Sequence, residues 1–587
     1  MYGSRGVFIL QHYCMNERDA QQLVLPFDSP DLRAGHPYLS KQLIAYLGNK
    51  RSLLGRLQSV FSALESRRRI SVFLDPFAGS GSVSRLARLM GYRVLANDWE
   101  FYSYVVNACH LGTEKRETPE LFAQRGGIQE VLRVLNDMDD PGEQGYISCF
   151  YAPQNTRTAD YRKERLFYTA QNARIIDAVR NRIEELYPGF DIEATARKEK
   201  LLLLASLIYE SATHTNTSGV FKAYHKGFGG HGNDALKRIM SRIELEVPVL
   251  VDSPCNAQVS CLDATEFAAT HRADLCYLDP PYNQHQYGSN YHLLNTIALW
   301  DRPPVDNSLT QDGTLRDKAA IRRDWKKTHS PYCSRDKALS AFRRLLEAID
   351  APLIVMSYST EGIIPFDVLL SELEQQGSVT LHTNDYIKYR GGKQSLRRQL
   401  YNMELLLVLD RQKASNRRQR EAAQELLARR KLAMLLKQSF YPERIAAAFR
   451  HTKHGMCFEA GPDTEIHMTM PFLYRFQAPL PSFAALSAAS ASMLRQQLAA
   501  CECIDRQEEL KVVVGILRGA LSDRERELYT RRALWLLRKF AFRKYSDVFW
   551  AMLTWLRQLA EIEPERFGRL RRGLRELERL ARRRFAG

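Results

Sequence analysis

Ile70-Ser71-Val72-Phe73-Leu74-Asp75 is a short apolar run that stops at Pro76-Phe77-Ala78-Gly79-Ser80-Gly81-Ser82-Val83, and a helical pattern follows from Ser84 to Met90. Such a succession predicts a strand, a tight glycine-bearing loop and a helix. The next apolar run, Tyr92 to Ala96, ends in Asn97-Asp98-Trp99-Glu100. Strand, glycine loop, helix and acid-terminated strand form the first half of a nucleotide-binding α/β unit, which constrains the chain to an open, mostly parallel sheet. Glycine lets the backbone approach a ligand closely, and an acid at the end of the second strand suits ribose hydroxyls. The loop lacks the Lys-Ser/Thr of a phosphate-binding loop and is not a complete dinucleotide fingerprint. Taken alone, a glycine loop occurs in many folds with no shared chemistry.

A second constellation stands about two hundred residues downstream. The apolar run Ala273-Asp274-Leu275-Cys276-Tyr277-Leu278 ends in Asp279-Pro280-Pro281-Tyr282. The run predicts a buried strand, so the four residues fall at its carboxyl end, where open α/β sheets place their ligands. Two consecutive prolines fix φ and remove two donors, so the backbone there is stiff and offers only carbonyls. One carboxylate, one rigid carbonyl and one aromatic face suit an exocyclic amine on a planar ring. The bland alternative is a Pro-Pro turn that only reverses the chain.

At this point the sequence resembles the Dam-like N6-adenine DNA methyltransferases, over residues 40 to 410. Tyr46-Leu47-Gly48-Asn49-Lys50 resembles that family's opening motif, Asp75 to Gly81 its main cofactor loop, and Asn97-Asp98 its ribose-binding acid. Leu262-Asp263-Ala264 resembles the strand end beside the cofactor's adenine. Segments of one branch of the family are matched by Arg165 to Arg180, by Ala205 to Phe221 and by Tyr282 to Leu294. Tyr389-Arg390-Gly391-Gly392-Lys393 resembles a late hairpin loop.

The resemblance implies S-adenosylmethionine as cofactor, held by Tyr46, Gly48, Asn49, Lys50, Asp75, Phe77, Ala78, Gly79, Gly81, Asp98, Asp263 and Ala264. Within that set Asp98 would bind ribose, Asp263 the adenine amine, and Lys50 would lie near the cofactor's carboxylate. It also implies that Asp279, Pro280, Pro281 and Tyr282 receive an adenine flipped out of double-stranded DNA and present its amine for methylation. No metal is expected. DNA-contacting candidates are Asn216, Lys226, Asn283, Tyr287, Lys326, Lys327, Arg390 and Lys393. Two readings stay open beside it: an N4-cytosine methyltransferase using the same grip, and a DNA-binding subunit of a larger defence complex.

Length and charge organise the rest. At 587 residues the chain is too long for one ordinary domain. Residues 411–587 carry 35 Lys and Arg against 19 Asp and Glu, +16 of the whole chain's +17. That is an electrostatic footprint for a polyanion, or for an acidic protein partner. Ten scattered cysteines, none in a Cys-x-x-Cys pair, suit reduced thiols in a cytoplasm. The amino terminus has no signal-peptide order, and Leu201 to Tyr209 predicts a buried helix rather than a membrane span.

The expected architecture is a Rossmann-like α/β methyltransferase fold with helical insertions and an antiparallel hairpin at the sheet's end. Residues 1–39 form an extension, 40–410 the catalytic domain, and 411–587 an all-α basic domain. Residues 113–230 are an insertion expected to take part in reading DNA, and their glycine- and histidine-rich edge, Tyr224 to His231, is expected to be a flexible DNA-facing loop. Asp312 to Arg344, with Arg316, Arg322, Arg323, Lys326, Lys327 and Arg335, is expected to grip phosphates. Tyr401 to Leu409 predicts the last strand, 452–481 reads as irregular, and Trp535, Phe540, Phe549, Trp550 and Trp555 read as core of the helical tail.

Overall fold

The computed structural model describes residues 36–138, 145–230, 235–360, 362–383, 404–436, 438–452, 455–461, 464–468, 486–503 and 505–586. Two compact units divide these residues: one ends at Ser415, and the other takes Asn416 onward.

The first unit is built on a seven-stranded sheet of order β3-β2-β1-β4-β5-β7-β6. Its strands are β1 Val72–Asp75, β2 Arg93–Asn97, β3 Ala257–Ser260, β4 Leu275–Leu278, β5 Leu353–Ser359, β6 Ser378–Thr383 and β7 Glu404–Asp410. β3, β2, β1, β4 and β5 pair in parallel, and β7 runs antiparallel between β5 and β6. This is the mostly parallel sheet with a terminal hairpin that the sequence predicts. β4 and β5 are buried at every position. Unbroken apolar runs suit strands covered on both faces. Asp75, Asn97 and Leu278 end their strands on one rim, and the loops that carry the motifs follow them.

Residues 113–256 separate the Phe101–Gly112 helix from edge strand β3. Their two long helices, Ala170–Leu186 and Ala194–Thr213, bury Ile175, Ile176, Val179, Leu202, Leu203, Leu204 and Leu207 in one core with Tyr291, Leu293 and Ile297. Thr169 caps the first by accepting from Asn172 N, and Glu193 caps the second through Thr195 N and Ala196 N. The segment is therefore a packed helical layer. Its glycine-rich edge is tied down as well: Tyr224 Oη donates to Glu164 O at 3.2 Å, and His225 N donates to Asn216 O at 3.0 Å. Among the described residues no helix is long and apolar enough to cross a membrane.

The second unit corrects the all-α expectation. Strands β8 Arg450–Thr452, β9 Gly455–Gly461 and β10 Thr464–Met468 form an antiparallel sheet that begins at the edge of the stretch read as irregular and continues into it. These strands are short, so no long period announces them. Packing does: Met456, Phe458 and Ile466 share a core with Leu432, Phe440, Leu494 and Leu498. The remainder is helical. Ser522 and Glu525 form the expected capping box ahead of the Asp523–Arg538 helix, and the last helix runs Gly568–Ala586. Phe540 and Phe549 are core, but Trp535 and Trp555 are 42% and 41% exposed.

Candidate active site

One cavity on the sheet's carboxyl rim is lined by both sequence constellations and by the opening motif. It takes Tyr46 to Lys50 from the entry loop and Asp75 to Ser80 from the loop after β1. Asn97 to Glu100 follow β2, Leu262 to Ala264 follow β3, and Asp279 to Tyr282 follow β4.

The loop after β1 is held from below. Asp98 accepts from Gly79 N at 2.8 Å and from Glu100 N at 2.9 Å, so β2's acid fixes the glycine loop. Ser103 Oγ and Asn107 Nδ2 donate to Gly79 O. Gly79 has φ +51°, and a Cβ there would lie 2.9 Å from the Tyr46 ring. Only glycine accommodates both demands without strain. Gly81, also at positive φ, caps the Ser82–Leu89 helix. Asp75 accepts from Ser84 Oγ at 2.6 Å and from Phe77 N at 3.3 Å. Burial, with the nearby Asp279 adding to it, pushes the Asp75 carboxyl up to about 7. Asp98 is raised by burial too, and Glu100 is pushed by burial up to about 7.

The entry loop packs as an aromatic stack. Tyr46 packs against both Tyr287 and Tyr291, at 5.1 Å from each ring, and those two rings lie 6.1 Å from each other. Tyr287 Oη donates to Leu47 O, and Leu47 N donates to Tyr291 Oη. Gly48 (φ +82°) and Asn49 complete the turn, with Asn49 Oδ1 accepting from Arg51 N. Lys50 Nζ lies 3.0 Å from Asp279 Oδ1 and 2.5 Å from Glu404 Oε1. It also stands 5.5 Å from the centre of the Tyr282 ring. Tyr282 meets Tyr358 edge-on at 5.8 Å. At the other end Asp263 caps the Ala264–Ala269 helix through Oδ1, and Phe77 meets Tyr332 edge-on at 5.3 Å.

One family model, described as D12 class N6 adenine-specific DNA methyltransferase, matches residues 46–312. Type II methyltransferase M.NlaIII of Neisseria lactamica is 30% identical over 369 residues, 62% of this chain and 99% of that protein. The chain belongs to the D12 class N6 adenine-specific DNA methyltransferases.

Modification methylase StsI of Streptococcus sanguinis is 30% identical over 62% of this chain and 52% of that protein. Type II methyltransferase M.CviAII of Paramecium bursaria Chlorella virus 1 is 28% identical over 59% and 93%. The chain thus spans nearly all of two of these relatives and about half of the third. It is an adenine-specific DNA methyltransferase of the restriction–modification kind, a class whose methyl donor is S-adenosylmethionine.

The donor set fits such a cofactor. The cavity presents both carboxylates and aromatic rings. The carboxylates of Asp98 and Asp263 line it, with Phe77 and Tyr332 as its aromatic walls.

Of the twelve cofactor candidates, all but Gly81 line the cavity, as do all four residues of the Asp279–Tyr282 motif. Tyr287 lines it as well. Asn216, expected to face DNA, is fully buried: its Nδ2 donates to Leu166 O and His225 O, and its Oδ1 accepts from Gly229 N. Asn216 thus braces the loop instead of facing solvent. Lys226, Lys326 and Lys327 are exposed, and Asn283 is half-buried. Arg322 is tied internally to Asp301 and Asp324, so it does not join the phosphate-gripping group. Arg390 and Lys393 lie outside the described residues. Sequence reasoning passed over Glu404, Glu100, Thr328, Ser330 and Tyr332. Glu404 opens a strand with no motif around it, and the last three come from a segment read only for its charge.

Proposed function

We propose that the cavity holds S-adenosylmethionine and a flipped adenine side by side, and that the chain is of the Dam-like alpha-group type. The motif order supports the grouping, since the cofactor loop at Gly79–Gly81 precedes Asp279-Pro280-Pro281-Tyr282. One observation carries the reading: motifs about two hundred residues apart line one cavity on one rim of the sheet.

Asp98 takes the ribose hydroxyls, Asp263 and Phe77 the cofactor's adenine, and Tyr46 to Lys50 the methionine end. When bound, the cofactor supplies a methyl group on an activated sulfonium. Asp279 and the Pro280 carbonyl accept hydrogen bonds from the target amine, which draws its lone pair out of the ring plane. Tyr282 stacks on the base. Holding both reactants in line is the main contribution that the protein has to make. The amine is out of reach inside a duplex, so double-stranded DNA must surrender the base at a cost of a few kcal/mol.

Residues 411–587, with +16 of the net charge, supply a second DNA-binding surface. Nine free cysteines among the described residues suit a cytoplasmic enzyme.

The experiment is Asp279→Ala in the full chain. Methyl transfer to DNA, counted as N6-methyladenine by nucleoside mass spectrometry, should vanish while S-adenosylmethionine binding by calorimetry persists. Methylation at the wild-type rate, or methyl groups appearing on cytosine in the wild-type reaction, defeats the reading.

A further inference from the structure

Glu404 has no task in the methyl-transfer chemistry as derived from the motifs, yet topology brings it to the reacting rim. β7 runs against its neighbours, and Glu404 pairs with Ser359, the last residue of β5. The first residue of β7 therefore sits where the parallel strands end. β4 and β7 flank β5, so Asp279 and Glu404 reach the rim about 10 Å apart, two strand spacings. Lys50 spans that gap, 3.0 Å from one carboxylate and 2.5 Å from the other. The three side chains are 3%, 18% and 12% exposed. Burial alone lowers the pKa of the ammonium, but Asp279, Tyr282 and Glu404 hold it well above the ordinary lysine value. Lys50 is therefore charged.

We propose that Glu404 is a positioning residue for methyl transfer: it matches the charge of Lys50, so that Asp279 keeps a negative charge for the target amine. The inference rests on Asp279 as the acid of the base site. In the reaction a bond forms between the amine nitrogen and the methyl carbon as the carbon–sulfur bond breaks. Positive charge moves from sulfur to nitrogen, and the nitrogen then releases one proton to water. Asp279 stabilises the growing charge, whereas a lone ammonium at 3.0 Å from it opposes that charge. One lysine and two carboxylates leave the cluster at a net −1. With Glu404 neutral the cluster falls to zero, and Lys50 has only Asp279 to pair with. Its ammonium then competes with the amine for the same oxygen.

Full-length Glu404→Gln and Glu404→Asp test this against wild type on unmethylated genomic DNA. N6-methyladenine is counted by mass spectrometry at saturating cofactor, and S-adenosylhomocysteine binding by calorimetry is the readout independent of turnover. Glu404→Gln should slow methylation by about tenfold or more while product affinity stays within about threefold. Glu404→Asp keeps the negative charge opposite Lys50 and should recover most of the lost rate, which separates charge matching from the packing of an uncharged side chain. Glu404→Gln at the wild-type rate, Glu404→Asp no faster than Glu404→Gln, or loss of S-adenosylhomocysteine binding in Glu404→Gln overturns the proposal. Asp279→Asn separates the two readings. If it methylates normally, the base-site assignment has failed; if it is dead while Glu404→Gln is fully active, only the role of Glu404 falls.

Discussion

The carboxylate of Asp98 accepts the Gly79 N–H at 2.8 Å, so the end of β2 anchors the loop that follows β1. The acid that the sequence places at a ribose also holds the glycine turn in shape. The ribose contact proposed for it and this anchor can share one carboxylate, because each oxygen can accept more than one hydrogen bond.

Asp98→Ala should therefore weaken S-adenosylmethionine binding by about 1–3 kcal/mol, through unpaired ribose hydroxyls and a loosened turn. DNA affinity without cofactor should change little. Calorimetry against the cofactor, beside DNA binding in its absence, checks this, and a defect confined to DNA binding would falsify the assignment.

Tyr282 offers a ring at the proposed base site, with Lys50 5.5 Å from its centre. Tyr282→Phe should retain most of the methylation rate, since stacking needs the ring. Tyr282→Ala should lose about 1–3 kcal/mol of base stacking, read as a fall in kcat/KM for DNA. Equal rates for the two variants would remove the ring from the base site.

Asp75 is an acid whose proton affinity is higher in the folded chain than in the unfolded one, with its carboxyl near 7. Between an unfolded pKa of about 4 and that value the native state binds more protons. The contribution of Asp75 to stability is thus fully present at lower pH and lost as pH rises through about 7. Asp75→Asn should flatten this part of the stability profile, by about 1.4 kcal/mol for each tenfold difference in proton affinity. Denaturant unfolding at pH 5 and pH 7.5 measures it; a profile unchanged by the substitution would show that Asp75 ionises normally.

The Gly568–Ala586 helix carries exposed Arg572, Arg575, Arg579 and Arg583 at intervals that keep them on one face, which also holds exposed Glu576. Among the described residues none of these four arginines is in an ion pair, whereas Arg569 and Arg582 pair with Glu527 and Glu578. Replacing all four by Gln in the full chain should reduce the slope of log affinity against log salt by about 0.9 for each DNA phosphate that is no longer neutralised. Cofactor affinity should not move. An unchanged slope would assign this face to an acidic protein partner.

The strand–loop–helix at Val72–Leu89, the buried strand before Asp279 and the acid at Asp98 were legible because each depends on neighbours within a few residues. Local period, glycine placement and strand-end position carry that information without the rest of the chain. The sequence by itself thus determined the parallel sheet and the two motifs that line its cavity. Only the tertiary structure decided the ion-pair cluster of Lys50, Asp279 and Glu404, whose members are each more than a hundred residues apart. They meet because one strand reverses direction and delivers its first residue to the rim where the other strands end. The same holds for β8 to β10, whose short strands exist only against the helices that bury Phe458 and Ile466. Asn216 is a third case: whether a polar side chain faces solvent or braces a loop depends on which backbone groups the fold brings within hydrogen-bond reach, and that is a property of packing rather than of sequence period.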